Sequence, residues 1–105
     1  MLSETQAKRI SKERDDNTCC CCGKRGGKMT SHHIYSKSKY PHLHAEPDNM
    51  ATMCIPCHRR FHDKFCHSIN GVGLDKLVKY LWKYAKDKNV IKEIEERCEN
   101  LEFLF

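Results

Sequence analysis

Cysteine and histidine side chains are concentrated in one stretch of the chain. The segment from Ser31 to His62 holds six of the seven histidines and ends in a Cys-x-x-Cys-His sequence that precedes His62. A further Cys-x-x-Cys pair, Cys19 and Cys22, lies upstream. Thiolates and imidazole nitrogens are the ligands that zinc and other transition metals favour. The sequence therefore predicts metal chemistry centred on this segment.

The two cysteine pairs predict a structural zinc site. Two Cys-x-x-Cys motifs are typical of tetrahedral zinc, and the predicted ligands are Cys19, Cys22, Cys54 and Cys57. The other two cysteines of the CCCCG run lie between Cys19 and Cys22 and are then not ligands, although a different choice of ligands within this run stays open. Four thiolates leave no open coordination position, so we expect this zinc to be structural. Disulfides are the alternative, which the protein mass with and without a chelator would distinguish.

The histidines suggest a second, open metal site. His58 and His62 are four residues apart, so on a helix both imidazoles can bind one ion. The pair alone is weak evidence, and Arg59 and Arg60 stand where a metalloprotease helix has its glutamate. On a strand, His32 and His33 point to opposite faces. One of them can therefore join the helix pair while the other faces a substrate.

A hairpin and helices must position these ligands. A capping-box pattern at Ser3 and Gln6 predicts a helix over about residues 4–14, whose basic face is either solvated or contacts a DNA backbone. Short strands are predicted over residues 29–35 and 49–54, followed by a helix from about Pro56 to Cys66. The prolines in the loop between the strands argue against continuous pairing there.

Apolar residues at helical spacing predict two further helices within residues 74–105, which would cover the metal-bearing half. Trp82 lies in this pattern, so we predict that it packs in the core instead of stacking on a nucleobase. We expect one domain over 1–105, made of an N-terminal helical part (1–18), a zinc and catalytic core (19–67) and the C-terminal helices (74–105). A structural interaction module built on the last two helices is a further reading of the same pattern.

Composition sets only broad limits. The formal net charge of +5 suits a polyanionic partner, but the excess is mild. The N-terminal residues are polar and no apolar run is long enough for a membrane helix. We therefore expect a cytoplasmic protein without a membrane partner.

Taken together, the pattern resembles the HNH endonuclease family. The matching residues are His33-Ile34, Asp48-Asn49 and the Cys-Ile-Pro-Cys-His-Arg-Arg-Phe-His run that ends at His62, with the two cysteine pairs. The resemblance covers roughly residues 19–62 and implies a ββα-metal core stapled by a four-cysteine zinc site. Together with the N- and C-terminal helices predicted above, which lie outside the resemblance, the expected fold class is α+β. It also implies that His33 is the general base, that Asn49 orients it, and that a divalent ion is held by His32, His58 and His62.

The implied activity is hydrolysis of DNA phosphodiesters to 5′-phosphate and 3′-hydroxyl ends. A monomer or weak dimer with one site should nick one strand of double-stranded DNA, with contacts expected from Arg59, Arg60, Lys37 and Lys39. Because His32 stands where the family usually has Asp, the ligand set is neutral, which favours Mn²⁺ or another divalent transition metal over Mg²⁺. The alternative is a catalytically inactive zinc-finger module that binds nucleic acid. The other histidines are expected at the surface or in packing: His42, His44 and His67.

Overall fold

The computed structural model describes residues 2–65 and 73–104. Their regular elements are α1 (Glu4–Arg14), β1 (Met29–His33), β2 (Met50–Cys54), α2 (Ile55–Phe65), α3 (Leu74–Tyr84) and α4 (Asn89–Glu99), with short 3₁₀ turns between them and after α4. The predicted α+β class and the strand–strand–helix order of the core are confirmed. The predicted end of α2 at Cys66 and the position of His67 lie outside the described residues.

Helix α1 begins where its capping box predicts. The Ser3 hydroxyl accepts from the Gln6 backbone N–H, and the Gln6 side chain accepts from the Ser3 backbone N–H, so two free helix-end donors are satisfied. At the other end, the Arg14 guanidinium donates to the carbonyls of Pro47 (2.8 Å) and Met50 (2.9 Å). These bonds fasten α1 to the hairpin, so Arg14 is occupied in the fold and the helix is not loosely docked.

Strands β1 and β2 form an antiparallel hairpin that separates α1 from α2. Its register pairs His32 with Ala51 and His33 with Met50. Because side chains alternate along a strand, His32 lies on the α2 side, whereas Ser31 and His33 lie on the α1 side, where the Ser31 hydroxyl meets the Lys8 carbonyl. The hairpin thereby gives its adjacent histidines separate surroundings.

The zinc knuckle before β1 depends on glycine. Gly23, Gly26 and Gly27 all have φ near +80°, a conformation that side chains with a Cβ disfavour. The turns they permit lead the chain into β1. Before these turns, the Cys20 backbone N–H donates to the Thr52 carbonyl of β2. Helix α2 starts directly after Cys54 and carries Cys57 in its first turn. Both cysteine pairs are therefore fixed to the hairpin.

Helices α3 and α4 complete the core, which includes Leu77, Tyr80, Leu81, Ile91, Ile94, Cys98 and Leu101. The prediction that Trp82 packs in this core is wrong, because its side chain is 59% exposed. Tyr80 is fully buried, and two residues along a helix correspond to about 200° of rotation. Burying Tyr80 therefore turns Trp82 outward. None of the helices within the described ranges has the length and apolar character that crossing a bilayer demands.

Candidate active site and its zinc frame

The four predicted cysteines converge. The Sγ atoms of Cys19, Cys22, Cys54 and Cys57 all lie within 4.8 Å of one another. Zn–S bonds of about 2.3 Å in a tetrahedron require neighbouring sulfurs about 3.8 Å apart, and the sulfurs of Cys22 and Cys54 are 3.7 Å apart. The donor set and its spacing fit zinc, as the sequence predicted.

The surroundings of Cys19 and Cys57 shift the pKa values of their thiols in opposite directions. Burial opposes the thiolate of Cys19, but the backbone at Cys54, Cys22 and Cys21 hydrogen-bonds its sulfur, and the balance lowers its pKa to about 7. Burial raises the pKa of Cys57. Because zinc binds thiolates, binding at Cys57 has to displace a tightly held proton.

Arg60 adjoins the zinc frame, which the sequence did not indicate. Its Nε donates to the Tyr80 hydroxyl at 2.9 Å, and its Nη2 lies 3.5 Å from the Cys21 sulfur and 4.0 Å from that of Cys57. The guanidinium also lies over the Tyr84 ring, 4.3 Å from its centroid. Arg60 therefore links α2 to α3 beside the cysteines, and its role as a DNA contact stays a prediction.

Three imidazoles converge on the α2 side of the hairpin. Nδ1 of His32 lies 3.2 Å from Nε2 of His58, which lies 2.9 Å from Nε2 of His62. Two nitrogens bound to one ion at about 2.1 Å and at right angles would be about 3.0 Å apart. The spacing fits a shared divalent ion, and three protein ligands leave further positions open for water or substrate.

Burial keeps two of these imidazoles neutral. Removal from water, helped by repulsion from His58 and His62, lowers the pKa of His32 to about 3. Burial and His62 lower the pKa of His58 to about 4. Metal ligands must be unprotonated, so at neutral pH both rings are ready to bind an ion without losing a proton.

His33 stands apart from the triad, on the α1 side of β1. Its Nε2 lies 2.9 Å from the His44 carbonyl oxygen. Because a carbonyl only accepts hydrogen bonds, Nε2 carries the proton and Nδ1 keeps its lone pair. The Glu4 carboxylate lies 3.7 Å from the same Nε2. This contact was not predicted, because Glu4 precedes the core by a long stretch of chain.

Asn49 acts on the loop and does not touch His33 in this arrangement. Its fully buried amide accepts from the Tyr35 backbone N–H (2.8 Å) and donates to the carbonyls of Tyr35 (3.1 Å) and Leu43 (3.2 Å). Leu43 immediately precedes His44, whose carbonyl holds His33. Any influence of Asn49 on the base is therefore exerted through the backbone.

The remaining predicted DNA contacts lie at the surface. Arg59 is exposed on α2 between His58 and His62. Lys37 is 59% exposed, and its Nζ forms an ion pair with Glu4 at 2.8 Å. Lys39 is exposed with its Nζ 5.7 Å from the centre of the Tyr40 ring. His42 is also exposed, whereas His44 is half-buried and contributes its carbonyl to the site.

Comparison with known proteins points to the same segment. The family model described as HNH endonuclease matches residues 19–64, which contain the knuckle, the hairpin and nearly all of α2. No curated protein and no solved structure matches the chain. The matched residues include every predicted ligand of the cysteine and histidine clusters. Residues 19–64 of this chain are thus similar to the HNH endonuclease family.

Proposed function

We propose that this protein is a divalent-metal-dependent DNA endonuclease that nicks one strand of duplex DNA and leaves 5′-phosphate and 3′-hydroxyl ends. One observation carries the proposal. The ligand nitrogens of His32, His58 and His62 cluster on one face of the hairpin. His33, the residue directly after His32, is held on the other face with Nδ1 unprotonated. An open metal-ligand set and a separate base on adjacent residues of one strand supply the two functions that metal-assisted phosphodiester hydrolysis uses.

His33 is the proposed general base. Its Nδ1 takes a proton from a water molecule as the water oxygen forms a bond to the scissile phosphorus and the bond to the 3′-oxygen breaks. The His44 carbonyl orients the ring through Nε2–H. Glu4, 3.7 Å from the same nitrogen, stabilises the imidazolium that results. Asn49 keeps the loop around His44 in place.

His32, His58 and His62 would hold the catalytic ion. When bound, that ion supplies Lewis-acid polarisation of a phosphate oxygen and stabilises charge on the leaving 3′-oxygen. A neutral three-histidine set suits Mn²⁺ or another divalent transition metal better than Mg²⁺, which prefers carboxylate oxygens. Greater activity with Mg²⁺ than with Mn²⁺ at equal concentration would contradict this preference.

Exposed cations near the site are proposed to bind the DNA backbone. Arg59 projects from α2 next to His58 and can bind a phosphate bidentately. Lys37 and Lys39 lie on the loop that leaves β1 just after the base. Such contacts give affinity without sequence information.

The test is conversion of supercoiled plasmid to open circles with added Mn²⁺. His33→Ala should reduce the rate by roughly 10²–10⁴, the usual contribution of general base catalysis. His42→Ala is the matched control, because that histidine is exposed and outside the cluster, and it should retain full activity. If the His33→Ala and His42→Ala proteins cut equally fast, His33 is not the base.

A zinc-bearing module that binds nucleic acid without cutting it is the alternative. It would share the cysteine cluster and the basic charge. It predicts plasmid binding without nicking, and no loss of binding in the His33→Ala protein.

A further inference from the structure

An exposed tryptophan among lysines lies outside the family match. Trp82 is the only tryptophan of the chain, and 59% of its surface is exposed. Lys79 precedes it by three residues, Lys83 follows it directly, and Lys86 lies just beyond the end of α3. No acidic residue occurs between residues 76 and 86. We call this surface, made of Lys79, Trp82, Lys83 and Lys86, the Trp82 face.

The lysines of the Trp82 face lack an acidic partner among the described residues, although Nζ of Lys83 lies 5.4 Å from the centroid of the Tyr84 ring. All three of its lysines are exposed, and none forms an ion pair in the described parts of the chain. Lys76, by contrast, turns toward α2, where its Nζ lies 3.5 Å from the Phe65 carbonyl. An exposed aromatic ring beside cations that lack an acidic partner is complementary to a partner with both an aromatic surface and negative charge.

We propose that the Trp82 face binds an unpaired nucleic-acid strand, with a nucleobase stacked on Trp82 and phosphates on the lysines. Unpaired bases expose their faces, whereas those within a duplex are already stacked on their neighbours. Aromatic side chains next to a basic groove are the usual means of binding single strands. This proposal rests on the proposed nuclease function and adds that the preferred substrate carries a single-stranded stretch near the cleavage site.

A groove connects this face with the loop beside the catalytic base. It has a volume of about 770 Å³, with Lys39 and Tyr40 contributed by the loop and Val78 and Lys79 by α3. The carboxylates of Asp75 and Glu95 also line it, so the phosphates of a bound strand have to lie on its lysine side. Trp82 lies one helical turn beyond Val78. A strand that leaves the cleavage site along this groove therefore meets Lys39 first and the Trp82 face next.

The experiment uses the emission of Trp82 in the full, zinc-loaded protein without added Mn²⁺, so that binding is measured without cleavage. The probes are an oligothymidine of about 15 nucleotides, a blunt duplex of the same length, and anionic phospholipid vesicles. We expect the single strand to quench the emission at lower concentration than the duplex, with no change on adding vesicles. Quenching by the duplex at equal or lower concentration, or a response to vesicles alone, would overturn the proposal.

Variants separate stacking from charge. Trp82→Ala, measured with a fluorescently labelled oligonucleotide, should weaken single-strand binding roughly 5- to 150-fold, the range for one lost base stack. The double variant Lys79→Ala, Lys83→Ala should reduce the slope of log affinity against log salt by about 1.4. Lys92→Ala on α4 is the control, since that lysine is exposed on a different helix, and it should leave the slope unchanged. Unchanged affinity in the folded Trp82→Ala protein would refute the assignment.

These outcomes are distinct from those of the plasmid assay. A protein that nicks plasmid but whose Trp82→Ala variant binds the single strand normally retains the proposed function and loses this inference. Quenching without any nicking would leave the Trp82 face in place and favour the binding module.

Discussion

Replacing Arg60 by methionine removes a charge that joins two helices next to the zinc cysteines. Methionine preserves the length and apolar stem of the side chain but cannot donate a hydrogen bond. The bond from Nε to the Tyr80 hydroxyl is lost, as is the guanidinium above the Tyr84 ring. The Tyr80 hydroxyl still donates to the Cys57 carbonyl at 3.0 Å, so the substitution leaves no buried donor without a partner.

The expected loss of stability follows from these contacts. A hydrogen bond with a charged partner contributes about 1.5–3 kcal/mol, and a partly exposed cation–π contact contributes about 0.5–1 kcal/mol. Because the variant no longer has to desolvate a guanidinium, the net cost should be about 2 kcal/mol. For a domain of this size, that corresponds to a urea midpoint lower by about 1 M. Loss of positive charge beside the Cys21 and Cys57 sulfurs should also speed zinc release.

The assay is urea unfolding, together with the rate at which a colorimetric chelator removes zinc. Arg59→Met is the matched control, since Arg59 is the exposed neighbour on the same helix, and its unfolding free energy should change by less than about 0.5 kcal/mol. The same control should weaken DNA binding, as proposed for Arg59. If Arg60→Met and Arg59→Met unfold at the same urea concentration and release zinc equally fast, the link through Arg60 does not stabilise the fold.

Three further predictions concern the frame of the site. Asn49→Ala should lower the free energy of unfolding by more than about 2 kcal/mol, measured in urea, because three backbone groups lose their hydrogen bonds to its side chain. Asn17→Ala, which removes one hydrogen bond at the surface, is the control. Burial opposes ionisation of Asp15, but bonds from Arg14 and Thr52 outweigh it and lower its pKa. The contribution of Asp15 to stability is the difference in unfolding free energy between the wild-type protein and Asp15→Asn. This difference should be at its full value above about pH 4 and should shrink as the pH falls through the folded-state pKa of Asp15. A difference that grows on acidification would contradict this. Removing zinc with a strong chelator should abolish the cooperative unfolding transition, and re-addition of zinc should restore it; an unchanged transition in verified zinc-free protein would show that the cysteines hold the frame without metal.

Elements specified by local chemistry were predicted closely. The capping box gave the bounds of α1, and the cysteine spacing gave the zinc ligands. The capping box depends on residues only a few positions apart, and four thiolates bind zinc in one common geometry. The strands were predicted within two residues of their bounds, since the hairpin alternation is also local.

Contacts between distant segments were missed or misjudged. Trp82 and Tyr80 both belong to an apolar pattern, and periodicity alone could not decide which ring would be buried. Arg60 was grouped with Arg59 because the two are adjacent, although α3 offers a hydroxyl and an aromatic ring to only one of them. Glu4 reaches His33 only because α1 packs across the hairpin.

Residue types and spacing alone specify the ligands, their grouping into a cysteine set and a histidine set, and the separation of His32 from His33. That separation follows from strand alternation, which sends neighbouring side chains to opposite faces. The tertiary structure decided which face each one meets. The hairpin packs α2 against the side of His32 and α1 against the side of His33, and the burial of Phe61, Met53 and Ile34 depends on the packing of the whole core. Since that packing joins residues far apart in the chain, no local pattern could assign it.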